Sequence, residues 1–160
     1  QKPKKKKRRL KSTPPVEIFR RRAYLNRTFN HQTELSMQKN RVLTAEQYNI
    51  LRHRATEPAF SGKYYQFNEE GTYVCAGCVN PLFTSEQKFD CGCGWPSFDA
   101  AIPGSVRMVP DYSYGMSRTE VCCANCHSHL GHVFDDGPTL TGSRFCINSL
   151  ALEFHPRRKN

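Results

Sequence analysis

The sequence predicts a small, mainly β domain, and the spacing of its turn residues is the main reason. Beyond Lys63, glycine and proline recur every several residues. Between them lie short runs rich in aromatic and β-branched residues, at 71–74, 105–109, 118–121, 132–134, 144–148 and 150–154. Short runs of this kind, separated by turn residues, are typical of small antiparallel β folds.

A short helix is predicted just before this β region. Thr44 and Gln47 have the capping-box spacing, in which each side chain accepts a hydrogen bond from the other residue's backbone N–H. Leu43 occupies the hydrophobic position that precedes such a cap. We therefore predict a helix over 45–54, with Tyr48, Leu51 and Ile50 towards the core. Because proline cannot continue a helix, we expect Pro58 to prevent its extension.

The positive charge of the chain belongs to its N-terminal arm. Residues 1–41 carry 14 Lys or Arg against 2 acids, whereas residues 42–160 carry 10 against 12. We predict a disordered basic arm over 1–41, because like charges repel, and a single domain over 42–160. The arm also fits a nuclear-import run, a nucleic-acid contact or a mitochondrial presequence remnant. The near-neutral domain argues against nucleic-acid binding as the main function.

Four of the eight cysteines form two Cys-x-x-Cys pairs, Cys75 with Cys78 and Cys123 with Cys126. This spacing lets both thiolates of a pair bind one ion, and two pairs complete a tetrahedral shell. A closed four-sulfur shell leaves no position for water, so the sequence predicts a structural Zn²⁺ that staples the long loops. The binding energy of such an ion counts as folding energy.

The remaining composition bears on the compartment. No apolar stretch is long enough for a membrane span or resembles a signal-peptide core. Metal-binding and redox cysteines in a reducing compartment then explain the cysteine count better than a disulfide framework. We predict a cytoplasmic monomer that does not contact membranes, with nuclear or mitochondrial targeting as the alternatives that the arm leaves open.

Cys146 is the predicted nucleophile among the other four cysteines. If 144–148 is a strand, alternation puts Arg144, Cys146 and Asn148 on one face. Phe145 and Ile147 then take the apolar face. A nearby cation lowers the pKa of a thiol and increases its reactive thiolate. The alternative is a small cysteine packed in a strand.

Two further segments contain residues suited to redox chemistry. His129 and His132 flank a glycine-hinged turn, and imidazole can donate a proton near neutral pH. The loop with Cys91 and Cys93 is glycine-rich and ends at Trp95. A mobile cysteine of this loop can attack an oxidised Cys146, and Trp95 can line a pocket for a group that resembles a methyl thioether.

At these residues the chain resembles the methionine-R-sulfoxide reductases of the B type. The resemblance runs from about Leu43 to Phe154, and both Cys-x-x-Cys pairs also occur in many members. It does not cover the basic arm. The matching segments are 94–98, 118–121, 129–138 and 142–149.

The resemblance implies two antiparallel sheets with short N-terminal helices. It also implies that Cys146 attacks the sulfoxide of oxidised proteins while His129 and His132 help to protonate the departing oxygen. Cys146 would become a sulfenic acid and form a disulfide with Cys93, which thioredoxin reduces. By the same match, Trp95 holds the sulfoxide methyl group. Arg144 and Asn148 would tune Cys146 and the bound substrate.

Two features depart from the family pattern. Cys91 stands where many relatives have serine, so it is either a second resolving thiol or a spare one. Cys122 has no assigned role. A non-catalytic binding module is the competing class of function, because fold alone does not decide function. Such a module would not need a cysteine on a polar strand face beside two histidines.

Overall fold

Residues 41–158, which the computed structural model describes, contain one α-helix and nine β-strands. The predicted basic arm, 1–41, lies outside the described residues apart from Arg41. No helix within 41–158 is long and apolar enough to cross a membrane. The elements are α1 Ala45–His53, β1 Gly71–Cys75, β2 Pro81–Thr84, β3 Lys88–Phe89, β4 Ser97–Phe98, β5 Val106–Asp111, β6 Arg118–Cys123, β7 His129–Phe134, β8 Arg144–Ile147 and β9 Leu152–Pro156.

The predicted capping box begins α1. The Thr44 hydroxyl accepts from the Gln47 N–H at 3.2 Å, and Gln47 Oε1 accepts from the Thr44 N–H at 3.1 Å. The helix ends one residue earlier than predicted because Arg54 adopts a left-handed conformation with φ 58°. Its buried residues are Ile50 and Leu51. The prediction that Tyr48 shares their face was wrong, since Tyr48 is half exposed.

Two antiparallel sheets form the rest of the domain, as predicted. One has the strand order β2-β1-β9 and the other β3-β4-β8-β7-β6-β5. Strands β2, β3 and β4 were not foreseen from the sequence. Aromatic side chains join the sheets: Phe83 of β2 stacks on Phe98 of β4 with ring centroids 4.3 Å apart, and Phe145 of β8 lies 5.8 Å from Phe83.

The six-stranded sheet has one core face and one polar face. Val121, Phe145 and Ile147 are buried on the core face. Because directly opposed residues of neighbouring strands point to the same side, the sheet register defines what shares the other face. That polar face carries the candidate site.

Candidate active site

The four cysteines of the two Cys-x-x-Cys pairs come together. Their sulfur atoms all lie within 4.8 Å of one another. Cys75 Sγ is 3.6 Å from Cys126 Sγ, and Cys78 Sγ is 3.6 Å from Cys123 Sγ. A tetrahedral shell with metal–sulfur bonds of about 2.3 Å requires sulfur separations of about 3.8 Å. The cluster therefore has the donors and spacing to hold a metal ion.

The two pairs lie in turns with the same backbone pattern. The N–H of Val79 donates to the Cys75 carbonyl at 2.8 Å, and the N–H of His127 donates to the Cys123 carbonyl at 2.9 Å. Val79 and His127 both have left-handed backbones, with φ 62° and 60°. One turn connects β1 to β2 and the other connects β6 to β7, so the cluster joins the two sheets.

Neighbouring polar groups face the sulfur atoms of this cluster. Asn80 Nδ2 donates to Cys123 Sγ at 3.6 Å, and the Ser128 hydroxyl lies 3.1 Å from Cys126 Sγ. A Cβ atom at Gly77 would lie 3.2 Å from the same hydroxyl. Hydrogen bonds of this kind stabilise thiolate charge in a metal shell.

Cys146 lies in a row of polar side chains that crosses four strands. Its register partners are Ser97 on β4 and His132 on β7, and His132 is in turn opposite Glu120 on β6. Cys146 carries a free thiol and is half-buried. The alternation predicted for this strand is confirmed, since Phe145 lies on the core face.

A β-bulge brings His129 to the same face as His132. In a regular strand, residues three apart point to opposite faces. Here the register shifts so that Cys122 is opposite His129 while Val121 is opposite Gly131, which leaves Leu130 as the extra residue. The two imidazole rings consequently lie 5.5 Å apart, centroid to centroid.

Each histidine is held by a buried carboxylate. His129 Nδ1 lies 2.6 Å from Glu120 Oε1, and His132 Nε2 lies 2.8 Å from Asp111 Oδ2. Burial lowers the pKa of His129, although Glu120 acts in the opposite direction. Hydrogen bonds from Ser113 and His132 hold the pKa of Asp111 well below its ordinary value. A carboxylate bound to one ring nitrogen fixes the orientation of an imidazole.

Two arginines balance these carboxylates. Arg54 Nη2 lies 2.7 Å from Glu120 Oε2, and Arg118 Nη2 lies 3.0 Å from Asp111 Oδ2. The cluster therefore pairs two buried acids with two permanent cations, so neither carboxylate is an unpaired buried charge. No role for Asp111, Glu120 or Arg54 was predicted from the sequence.

A cavity of about 90 Å³ opens beside Cys146. The residues that matter in its lining are Trp95, Arg118, His132, Phe134, Cys146 and Asn148. The Trp95 indole N–H donates to the Glu57 carbonyl at 3.1 Å, which fixes the ring in the wall. The predicted residues Cys146, His132, Trp95 and Asn148 thus meet around one space, whereas His129 lies buried behind it.

Asn148 also has a structural role. Its Nδ2 donates to the Leu130 carbonyl at 2.9 Å, and its Oδ1 accepts from the Glu57 N–H at 3.0 Å. The buried Glu57 carboxylate accepts from the N–H groups of Ser149 and Leu150 at 2.6 and 3.0 Å. Burial raises the pKa of Glu57. These hydrogen bonds of Asn148 and Glu57 therefore hold residues 148–150 in place beside the cavity.

Arg144 contacts Asp136 and an aromatic ring. Its Nε and Nη2 donate to the two carboxylate oxygens of Asp136 at 2.8 and 2.9 Å, and its guanidinium carbon lies 4.5 Å from the centre of the Phe134 ring. Arg144 lowers the pKa of Cys146, as the sequence predicts. Burial has the larger effect, however, and the pKa of the Cys146 thiol is raised. The thiolate is therefore the minor form near neutral pH.

We expect alkylation of Cys146 to reflect this raised pKa. Thiolate is the reactive form, so labelling of the reduced protein by iodoacetamide should increase with pH through a midpoint above about 8.5, the ordinary thiol value. Arg144→Gln should move the midpoint higher still, because it removes the cation. Peptide mapping isolates Cys146 from the other thiols, and denatured protein serves as the control. A midpoint below that of the denatured protein would contradict a raised pKa for Cys146.

The loop before β4 holds a disulfide between Cys91 and Cys93. The resemblance implied that Cys93 pairs with Cys146, whereas here Cys93 is paired with its near neighbour. The Ser97 hydroxyl lies 3.0 Å from Cys91 Sγ and 3.4 Å from Cys93 Sγ. Cys122 is half-buried on β6, and burial raises the pKa of its thiol to about 11.

The fold and site define a class of small β proteins that combine a four-cysteine metal-type cluster with a separate half-buried thiol beside two histidines. Residues 43–156 match the SelR domain family, and the chain belongs to that family. This membership makes the chain an oxidoreductase and confirms the resemblance drawn from the motifs.

Three curated relatives illustrate the similarity, and each is a peptide methionine sulfoxide reductase MsrB. The Bradyrhizobium diazoefficiens protein is 56% identical over 121 residues, which cover 75% of this chain and 87% of the relative. The Agrobacterium fabrum protein is 55% identical, over 71% of this chain and 85% of the relative. The Thiobacillus denitrificans protein is 54% identical, over 72% and 88%.

Proposed function

We propose that this enzyme reduces methionine-R-sulfoxide in proteins to methionine, with residues 42–160 as the catalytic domain and Cys146 as the nucleophile. The observation that carries the proposal is the cavity in which Cys146, His132 and Trp95 meet. The names of the relatives specify the sulfoxide as the group that such a cavity would receive.

The chemistry requires a nucleophile and a source of protons. In the proposed reaction the Cys146 thiolate attacks the sulfoxide sulfur. His132 and His129 help to protonate the departing oxygen. A bond forms between the two sulfur atoms, the sulfur–oxygen bond of the sulfoxide breaks, and the oxygen leaves as water. Water then breaks the sulfur–sulfur bond, so that methionine leaves and Cys146 becomes a sulfenic acid. Overall, two electrons pass from the cysteine sulfur to the methionine sulfur. Asp111 and Glu120 support this role, since each binds one of the imidazoles.

The aromatic side chains of the cavity wall suit the methyl end of the substrate side chain. Trp95 and Phe134 both line the cavity, and thioether sulfur and methyl groups pack favourably against aromatic rings. The small volume fits the end of an oxidised methionine side chain. We assign Trp95 to the methyl group, whereas Arg144 and Asn148 support Cys146 and the cavity wall.

Recycling and metal binding complete the proposal. Cys93 resolves the sulfenic acid as a disulfide, and thioredoxin supplies the reducing equivalents. Cys75, Cys78, Cys123 and Cys126 hold a structural Zn²⁺, which stabilises the fold and has no part in the redox steps. A monomeric state and a cytoplasmic location stay predictions from the sequence.

An assay with separated sulfoxide epimers tests the proposed function. With thioredoxin, thioredoxin reductase and NADPH, the full chain should reduce a peptide that contains methionine-R-sulfoxide. It should act on the S epimer about 100-fold more slowly or worse. Methionine is measured by chromatography, and enzyme omitted from the mixture is the control. Failure to reduce either epimer would refute the proposal.

A further inference from the structure

The Cys91–Cys93 disulfide lies next to the nucleophile across one strand pair. Ser97 is the register partner of Cys146, and both side chains are on the polar face. Opposed residues have Cβ atoms about 5 Å apart. The Ser97 hydroxyl also touches both sulfur atoms of the disulfide, at 3.0 and 3.4 Å. The two disulfide sulfur atoms thus contact the buried hydroxyl of the residue that pairs directly with Cys146.

The loop that carries the disulfide is more open than the nucleophile's cavity. Gly92, between the two cysteines, is exposed, and a Cβ atom added there would meet nothing within 4 Å. Its backbone has φ 66°, and its N–H donates to Asp90 Oδ1 at 2.8 Å. This turn brings the two cysteine sulfur atoms together, and both cysteines are only half-buried.

We propose that Cys91 is a second resolving thiol, which moves the oxidation from Cys146 to the Cys91–Cys93 disulfide before an external reductant acts. This inference rests on the proposed function and adds a catalytic residue to it. It assigns a role to Cys91, whose role the family resemblance leaves open.

The relay has two thiol steps and one reduction. Cys93 attacks the sulfenic sulfur of Cys146, so a Cys93–Cys146 disulfide forms and water leaves. The Cys91 thiolate then attacks Cys93 Sγ, and Cys146 departs as a thiolate that takes up the proton lost by Cys91. This exchange involves no net oxidation. A dithiol reductant of the thioredoxin class finally supplies two electrons and two protons to the Cys91–Cys93 disulfide.

The relay predicts an unusual yield in the absence of reductant. Because the exchange regenerates the Cys146 thiol, this residue can reduce a second sulfoxide. Pre-reduced full-length enzyme, mixed with excess N-acetyl-methionine-R-sulfoxide amide, should therefore release about two methionines per chain. Cys91→Ser should release about one, since it stops at the Cys93–Cys146 disulfide. Cys122→Ser, the matched control that removes another half-buried thiol, should still release about two.

Peptide mapping identifies the disulfide directly. Trypsin leaves Cys91 and Cys93 together in the peptide 89–107 and places Cys146 in the peptide 145–157. After one equivalent of substrate, the wild-type peptide 89–107 should be two hydrogens lighter and not linked to 145–157. In Cys91→Ser the two peptides should be linked. Circular dichroism verifies that the variants are folded.

The outcomes separate the relay from the proposed function. A yield of one methionine in the wild type, or an unchanged yield in Cys91→Ser, would overturn the relay and leave the reductase intact. A fall to one in Cys122→Ser with two in Cys91→Ser would transfer the role to Cys122 and also overturn it. No methionine from the wild type would instead refute the proposed function itself.

Discussion

Cys146→Ser is expected to lower the rate of methionine formation by about 10⁴-fold or more, as the loss of a covalent nucleophile does in other enzymes. Serine keeps the size of the side chain but is a far weaker nucleophile at neutral pH. Since Cys146 is half-buried and carries a free thiol, the exchange should change the free energy of unfolding by only about 1 kcal/mol. The measurement is initial rate with the R-epimer peptide, together with thermal unfolding.

Cys122→Ser provides the comparison. It removes a half-buried thiol of the same sheet, and we expect it to keep nearly the full rate. A sulfenic-acid reagent should label Cys146 in a Cys91→Ser/Cys93→Ser variant after one turnover, because no resolving thiol is left nearby. Substantial activity in folded Cys146→Ser would move the nucleophile to another residue.

Metal removal is expected to unfold the domain. Structural zinc contributes about 10–16 kcal/mol in zinc-finger peptides, and the whole stability of a typical domain is about 5–15 kcal/mol. The cluster also joins the two sheets, so its loss leaves only core packing, such as the contact of Phe83 with Phe98, to hold them together. Chelation should therefore abolish the cooperative unfolding transition measured by circular dichroism, and elemental analysis should find one zinc per chain.

Two substitutions at adjacent positions sharpen this test. Cys123→Ser removes a cluster ligand and should lose both the metal and the folded signal. Cys122→Ser changes the preceding residue, which lies outside the cluster, and should keep both. A metal-free protein that unfolds at the same temperature as the wild type would exclude a structural role for the metal.

The structural predictions that were confirmed depend on residues that are close together in the sequence. The capping box depends only on Thr44 and Gln47, and each Cys-x-x-Cys turn closes within four residues. The alternation around Cys146 likewise needs no knowledge of other strands. For such features the sequence separation is so short that backbone geometry alone brings the groups together.

The residues of the site that were not predicted from the sequence make contacts with residues far away along the chain. Glu57 binds Ser149 and Leu150 from the far end of the chain, and nothing in its local sequence marks this contact. The two-residue strand β4, which places Ser97 beside Cys146, is too short to produce a periodic pattern. Burial also reversed the pKa shift expected from Arg144, because burial is a property of the packed structure rather than of neighbours in sequence.

The bulge at Leu130 determines which residues of β7 point to the same face of the sheet. Histidines an odd number of residues apart can share a face only if the strand contains one irregular residue. If β7 kept its sequence but paired without this bulge, one imidazole would point into the core, even though every side chain of the cavity lining would be retained. The bulge between His129 and His132 is thus as much a part of the candidate active site as the identity of the two residues.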